Sequence, residues 1–245
     1  MTPLVLRPQP QADALCQALA QAGHHPVCCP LFALTPGRQL SQLPQALAEA
    51  TLVIAVSAPA VEQAHHWLQA HGLSWPAKPT LAVGPATAAA WQQAGIQALA
   101  PEQADSEGLL ALPALQPQAV ADRPVLILRG DSGREFLAQQ LTARGARVRY
   151  CECYRREPLP LDGPSLWHKW RSSGVDSVII TSGDLFNRLC QLLPVEAKPW
   201  LEQLTYYVPS TRIGDWLAQA GLHHIQLTRG AATAAILAAL PTRTP

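Results

Sequence analysis

Seven short segments of the 245-residue chain share one chemistry: Arg7-Pro8-Gln9, Ser57-Ala58-Pro59, Gly84-Pro85-Ala86-Thr87, Asp105-Ser106-Glu107-Gly108, Arg129-Gly130-Asp131-Ser132-Gly133-Arg134, Ser182-Gly183-Asp184 and Pro209-Ser210-Thr211. They are rich in small, hydroxyl-bearing, Gly and Pro residues, and each stands just ahead of a helical pattern. A helix start presents unpaired N–H groups and the positive end of the helix dipole, which favour an anion. Taken singly, each loop reads better as ordinary capping by Ser, Thr or Asp. Taken together, they suit a ligand carrying many carboxylates or phosphates.

The richest segment is Leu128-Arg129-Gly130-Asp131-Ser132-Gly133-Arg134-Glu135. Ser132 and Glu135 have capping-box spacing, so the pattern starts a helix there. Arg129 ends a strand and Arg134 falls on the first helical turn, so both guanidiniums can reach a bound anion. Gly130-Asp131-Ser132-Gly133 spells a protease nucleophile loop that belongs to all-β proteins, and Arg129-Gly130-Asp131 spells an adhesion tripeptide. Neither fits the rest of the pattern. Tyr154 is the other chemically distinct residue. A phenol can serve as a weak general acid, and the equivalent position in the other half of the chain is Phe32. The competing reading is a packed aromatic with its hydroxyl in water.

The elements that must position these groups form a repeat. Leu6-Arg7 and Leu128-Arg129 each open a segment that reaches a glycine, Gly23 or Gly145, at the same spacing and then a β-type run, Cys28-Cys29 or Tyr150-Cys151. Downstream, Ala55-Val56-Ser57 matches Ile180-Thr181-Ser182, and Val83-Gly84-Pro85-Ala86-Thr87 matches Val208-Pro209-Ser210-Thr211. Ser106-Glu107-Gly108-Leu109-Leu110 matches Thr233-Ala234-Ala235-Ile236-Leu237. β-Type runs at 3–7, 26–29, 52–56, 80–83, 97–100, 124–128, 146–151, 177–181, 205–208 and 223–227 alternate with helical patterns. Many of those helices are closed by glycine: Gly23, Gly72, Gly95, Gly145, Gly174 and Gly221. Such alternation builds parallel sheets covered by helices on both faces. The expected fold is therefore α/β, with two similar doubly wound parallel-sheet lobes, two extended connecting segments and a cleft between. The Pro-bounded stretches 32–35 and 153–158 are the expected connections. They make one lobe from 1–31 plus 159–245 and the other from 36–152. Ligands of open parallel sheets bind beyond the carboxyl ends of the strands, where the seven loops lie.

Composition narrows the functions. Apolar residues make up 48% of the chain and the net charge is +1, which gives a packed globular protein and no general nucleic-acid binder. Lys78, Lys169 and Lys198 are the only lysines; the other basic residues are Arg, whose planar fork suits carboxylates. No apolar run spans a bilayer and no export signal opens the chain, so the expected location is cytoplasmic. The six cysteines lack metal-binding spacing, and reduced thiols are expected. His24-His25 and His223-His224 lie just past helix ends, where solvated histidines are ordinary, and His65-His66 forms a third doublet; a metal site is not expected. Trp67, Trp91, Trp170 and Trp216 fit apolar helix faces. No dinucleotide, P-loop or hydrolase-elbow motif is present.

Over essentially its whole length the chain resembles the uroporphyrinogen-III synthase family. The resemblance is carried by Val125-Leu126-Ile127-Leu128-Arg129-Gly130, Gly133-Arg134-Glu135, Gly145-Ala146, Cys153-Tyr154-Arg155-Arg156, Ile180-Thr181-Ser182 and Val208-Pro209-Ser210-Thr211-Arg212 with Gly221. It implies an enzyme that closes hydroxymethylbilane, a linear polycarboxylate tetrapyrrole, to uroporphyrinogen III with loss of water and inversion of ring D through a spiro intermediate. It implies no cofactor and no metal. Tyr154 takes the family's tyrosine position and becomes the expected catalytic group. Arg7, Ser57, Gly84, Thr87, Ser106, Arg129, Gly130, Arg134, Ser182, Gly183, Pro209 and Thr211 become the expected substrate binders, acting largely through backbone N–H groups. The chain departs from the family where Ser182-Gly183-Asp184 stands in place of Ser-Pro-Ser. A monomer is expected, with no nucleic-acid or membrane partner and room for transient contact with the preceding pathway enzyme. The alternative reading is a two-lobed protein that binds a small anion without chemistry.

Overall fold

The computed structural model describes residues 1–133 and 135–241. The first half of the chain runs β1 (Pro3–Val5), α1 (Gln11–Gln21), β2 (Val27–Cys28), β3 (Phe32–Pro36), α2 (Leu43–Glu49), β4 (Leu52–Ala55), α3 (Ala58–Ala70), β5 (Thr80–Ala82), α4 (Pro85–Gln93), α5 (Ser106–Ala111) and α6 (Pro117–Val120). The second half runs β6 (Pro124–Gly130), α7 (Phe136–Ala143), β7 (Arg147–Pro158), α8 (Gly163–Ser172), β8 (Ser177–Ile179), α9 (Gly183–Leu192), α10 (Lys198–Leu201), β9 (Thr205–Val208), α11 (Thr211–Gln219), β10 (Ile225–Leu227) and α12 (Thr233–Ala239). The chain forms two compact units, one of Met1–Ala33 with Glu157–Pro245 and one of Leu34–Arg156. The expected fold class, α/β with doubly wound parallel sheets, is the one observed.

In the discontinuous unit the strand order is β10-β9-β8-β1-β2, all parallel. Successive residues of each strand face opposite sides. Leu4, Val178, Tyr206 and Val208 pack with α8, α9 and α11, while Val5, Ile179 and Tyr207 pack with α1 and α12. The continuous unit has the order β3-β7-β6-β4-β5. Here Val53, Ala55, Leu126 and Leu128 pack with α2, α3 and α4, and Leu52, Ile54, Val125 and Ile127 pack with α5 and α7. The two sheets repeat one another: β8, β9, β1 and β2 correspond in order to β4, β5, β6 and β7.

The six helix-ending glycines expected from sequence, Gly23, Gly72, Gly95, Gly145, Gly174 and Gly221, all have φ between 66 and 87°. That left-handed conformation costs glycine nothing and strains any other residue.

Several expectations need correction. The run at 97–100 is no strand; it makes a single parallel bridge, Leu81 with Leu99. The run at 146–151 continues without a break to Pro158 as the twelve residues of β7. β3 pairs with it along the sheet edge. The flanking hydrogen bonds Leu159 N to Leu31 O and Gly37 N to Cys153 O show that the two strands run antiparallel. An edge strand tolerates proline because one side of its ladder is free, so Pro36 can end β3 without losing a needed donor. His24 is buried, not solvated.

Candidate active site

The site grows from the carboxyl end of β6. The pairing of β6 with β7 is regular from Pro124 to Arg129, which lies opposite Glu152; then the register slips, and Gly130 faces Tyr154. Such a bulge re-aims the side chain that follows it. The phenol of Tyr154 lands on the backbone of Gly130. A Cβ there would sit 2.6 Å from Tyr154 Cζ and 2.9 Å from its Oη, so only glycine admits the ring. Tyr154 is 3% exposed and packs into the core of its unit, yet its hydroxyl end reaches a cavity of about 260 Å³. The wall of that cavity is built from Ser57 at the end of β4, Ser106 of α5, Arg129 and Gly130 of β6, and Tyr154 and Arg156 of β7.

Hydrogen bonds fix these groups. Ser57 occupies the N-cap position of α3 but does not cap it; its hydroxyl donates to Tyr154 Oη at 3.3 Å. Arg156 donates through Nη2 to Tyr154 Oη at 3.1 Å and through Nη1 to Ser132 Oγ at 2.9 Å. Asp105 does cap its helix, accepting from Gly108 N at 2.7 Å. So one of the two acidic or hydroxyl residues at these helix starts is spent on capping and the other is turned to Tyr154.

Arg129 is 6% exposed. Its Nη1 donates to Glu135 Oε1 at 2.6 Å, its Nη2 to Gly133 O at 3.2 Å and its Nε to Gly130 O at 3.2 Å, and it lies 4.5 Å from the Tyr150 ring centroid. Tyr150 donates to the other Glu135 oxygen at 2.6 Å. The hydrogen bond from Tyr150, followed by that from Arg129, holds the Glu135 carboxyl below its usual value. Burial, reinforced by Glu135, pushes the Tyr150 phenol up to about 12. For Arg129, burial works against the charge but is outweighed by Glu135, so the guanidinium is held protonated. This corrects the capping-box expectation. Helix α7 starts at Phe136 with Glu135 at its N-cap position, and the Glu135 carboxylate serves Arg129 and Tyr150 in place of a backbone N–H. Arg134 lies outside the described residues.

The remaining expected residues are placed elsewhere. Gly84 and Thr87 stand at the start of α4, both buried, and do not line the cavity. Arg7, Ser182, Gly183, Pro209 and Thr211 follow β1, β8 and β9, three adjacent parallel strands, so they share one edge of the other unit's sheet. Burial lowers the Arg7 pKa. Ser182 caps α9 through Leu185 N at 3.4 Å. The exposed indole of Trp216 lies on Gly183, where a Cβ would meet Trp216 Cζ3 at 2.0 Å. That accounts for the chain's departure from Ser-Pro-Ser, because Trp216 leaves no room for a side chain at 183. Among the cavity residues, Arg156 was missed by the sequence reading. The available signal was its spacing of two from Tyr154 on a strand, which puts both on one face.

A family model described as uroporphyrinogen-III synthase HemD matches residues 13–238. The chain belongs to the uroporphyrinogen-III synthase family. The uroporphyrinogen-III synthase of Salmonella typhimurium is 38% identical over 247 residues, covering 98% of this chain and 100% of that protein. The uroporphyrinogen-III synthase of Escherichia coli is 36% identical with the same coverage. Among solved structures, a mutant uroporphyrinogen III synthase from Thermus thermophilus gives a TM-score of 0.63 at 19% identity, covering 97% of this chain and 96% of that one. Uroporphyrinogen-III synthetase from Helicobacter pylori gives 0.61 at 14% identity, covering 97% of each. At those identities the structures show that the uroporphyrinogen-III synthase fold is shared.

Proposed function

We propose that this chain converts hydroxymethylbilane to uroporphyrinogen III and water, with Tyr154 as the proton donor. The observation that carries the reading is Tyr154, its hydroxyl held by Ser57 and Arg156, at the wall of a cavity beyond the carboxyl ends of β4 and β6, in a member of this family. The terminal C–O bond of the substrate breaks, and the hydroxyl leaves as water with a proton from Tyr154. The electron pair of the adjacent pyrrole nitrogen moves into the ring and leaves an electrophilic methylene. The substituted carbon of ring D attacks that methylene to give the spiro intermediate. The older bond between that ring D carbon and the methylene joining it to the neighbouring pyrrole then breaks, leaving this second methylene electrophilic. The free α-carbon of ring D bonds to it, which inverts the ring, and the proton lost from that carbon returns to the Tyr154 oxygen.

Off the enzyme the same substrate closes without inversion, so the protein's task is steering as much as acceleration. Orientation of a flexible chain and fixed electrostatic holding of its carboxylates are the physical means. Ser57, Ser106, Arg129 and Gly130 border the cavity and are the binders proposed closest to the chemistry. Gly84, Thr87, Ser182, Gly183 and Thr211 are proposed to hold substrate carboxylates through backbone N–H groups at helix starts, Arg7 to contribute from the loop after β1, and Pro209, which has no N–H to give, to shape the loop that presents Thr211. On this reading the enzyme works in the cytoplasm as a monomer on its tetrapyrrole substrate. Tyr154→Phe tests the assignment: turnover falls about 10²-fold or more, the usual worth of a positioned acid, while the fold persists. Wild-type turnover in that variant removes Tyr154 from the mechanism.

A further inference from the structure

Among the described residues, two guanidiniums line the cavity, and their surroundings give them different work. Arg129 is buried and its fork is occupied by Glu135 and two backbone carbonyls. Arg156 is half-buried, lines the same cavity and bridges two hydroxyl side chains, Ser132 at 2.9 Å and Tyr154 at 3.1 Å. Its Cζ lies 5.5 Å from the Tyr154 ring centroid, so it also meets the ring face. A phenol oxygen has one proton to give and two lone pairs to receive. Arg156 can only donate, so it takes a lone pair of Tyr154 Oη, and Ser57 Oγ stands 3.3 Å from the same oxygen. The phenol's own proton is thereby turned away from the guanidinium.

We propose that Arg156 is a positioning residue for the reaction: by donating to Tyr154 Oη while anchored on Ser132, it aims the Tyr154 proton at the departing hydroxyl of the substrate. The inference rests on the reading of Tyr154 as proton donor. The chemistry asks for arginine in particular. Two N–H groups of one rigid plane can reach Ser132 and Tyr154 together, whereas an ammonium is a single point of charge. The bulge explains the arrangement: Asp131 N donates to Tyr154 O at 3.0 Å, tying the 131–133 segment to β7 just where Arg156 reaches back to it.

Steady-state kinetics on hydroxymethylbilane, with separation of type III and type I product, test this. Wild type making type III is the control; if it fails, the proposed function fails and not this inference alone. Given that control, Arg156→Ala lowers kcat about 10-fold to 100-fold, within the range of general-acid effects, leaves KM within about twofold, and raises the type I share. Combined with Tyr154→Phe it causes no further loss, since both remove the same aimed proton. Arg156→Lys does not restore kcat. Ser132→Ala, which spares the contact with Tyr154, lowers kcat by a smaller factor and carries the test together with Arg156→Lys if Arg156→Ala does not fold. A raised KM at unchanged kcat makes Arg156 a carboxylate binder and overturns the proposal. Full restoration by Arg156→Lys, or multiplicative losses with Tyr154→Phe, overturns it as well.

Discussion

Gly130→Ala is the sharpest single perturbation of the site, because it adds one methyl group and removes nothing. The new Cβ would stand 2.6 Å from Tyr154 Cζ, 2.8 Å from Cε2 and 2.9 Å from Oη. Carbon atoms in contact rest at about 3.5–4.0 Å, so the ring must retreat by roughly 1 Å. It cannot retreat freely, since Tyr154 is 3% exposed and its far side is packed among core residues. Overfilling a packed core costs about 1–3 kcal/mol of stability. The functional effect is larger. A shift of roughly 1 Å at a reacting group costs about 10²-fold in rate, and here it also stretches the 3.3 Å and 3.1 Å bonds that Ser57 and Arg156 make to the same oxygen. We expect the saturated rate of type III formation to fall about 10²-fold while the protein still melts cooperatively at a lower temperature. In the Tyr154→Phe background the same change should cost little more activity, because the group it displaces is already gone. Near-wild-type turnover by Gly130→Ala, or a full multiplicative loss in the double variant, would refute the claim that the glycine exists to admit the phenol.

Three further outcomes are expected. The pH dependence of stability follows from the Arg129–Glu135–Tyr150 cluster: the folded Glu135 carboxyl lies below its unfolded value of about 4.3, so its contribution is present above that pH and is lost as pH falls through the folded value. Tyr150 is raised from about 10 to about 12, so its contribution is present below the lower value and is lost as pH climbs through the higher. Melting temperature against pH should show less acid-side decline in Glu135→Gln than in wild type; identical declines would count against the cluster. Gly183→Ala should destabilise by about 1 kcal/mol, the low end for overpacking because Trp216 borders solvent, and should be nearly neutral once Trp216→Ala is present; equal losses in both backgrounds would contradict the steric account. Ser182→Ala and Thr211→Ala should each change kcat/KM only modestly, since backbone donors survive both substitutions, and complete inactivity in either would rule out backbone-dominated binding.

Much of this architecture can be read from residue order because its signals are local. The six glycines that end helices with positive φ, and the alternation of short β-branched runs with amphipathic stretches, each report on a few neighbouring residues. The repeat does the rest, since two segments with the same spacing must build the same strand order. What escaped is governed by contacts distant in sequence. Ser132 and Glu135 have the spacing of a capping box, but a buried arginine at the end of β6 and a tyrosine on β7 outbid a backbone N–H for the carboxylate. The run at 97–100 alternates like a strand yet gains only one bridge, because pairing needs a partner in register. Tyr154 can be singled out from sequence, whereas the slip in register that sets it on Gly130 cannot. Arg156 shares a strand face with Tyr154 by its spacing of two, but its contact with Ser132 depends on a loop 24 residues away in sequence.

The central claim is that this chain dictates how the last pyrrole ring is turned as the macrocycle closes. The direct measurement is the isomer composition of product formed from hydroxymethylbilane by the purified protein, resolved by chromatography after oxidation. The account predicts type III in excess, formed faster than spontaneous closure. Type I alone, appearing at the rate seen without protein, would contradict it.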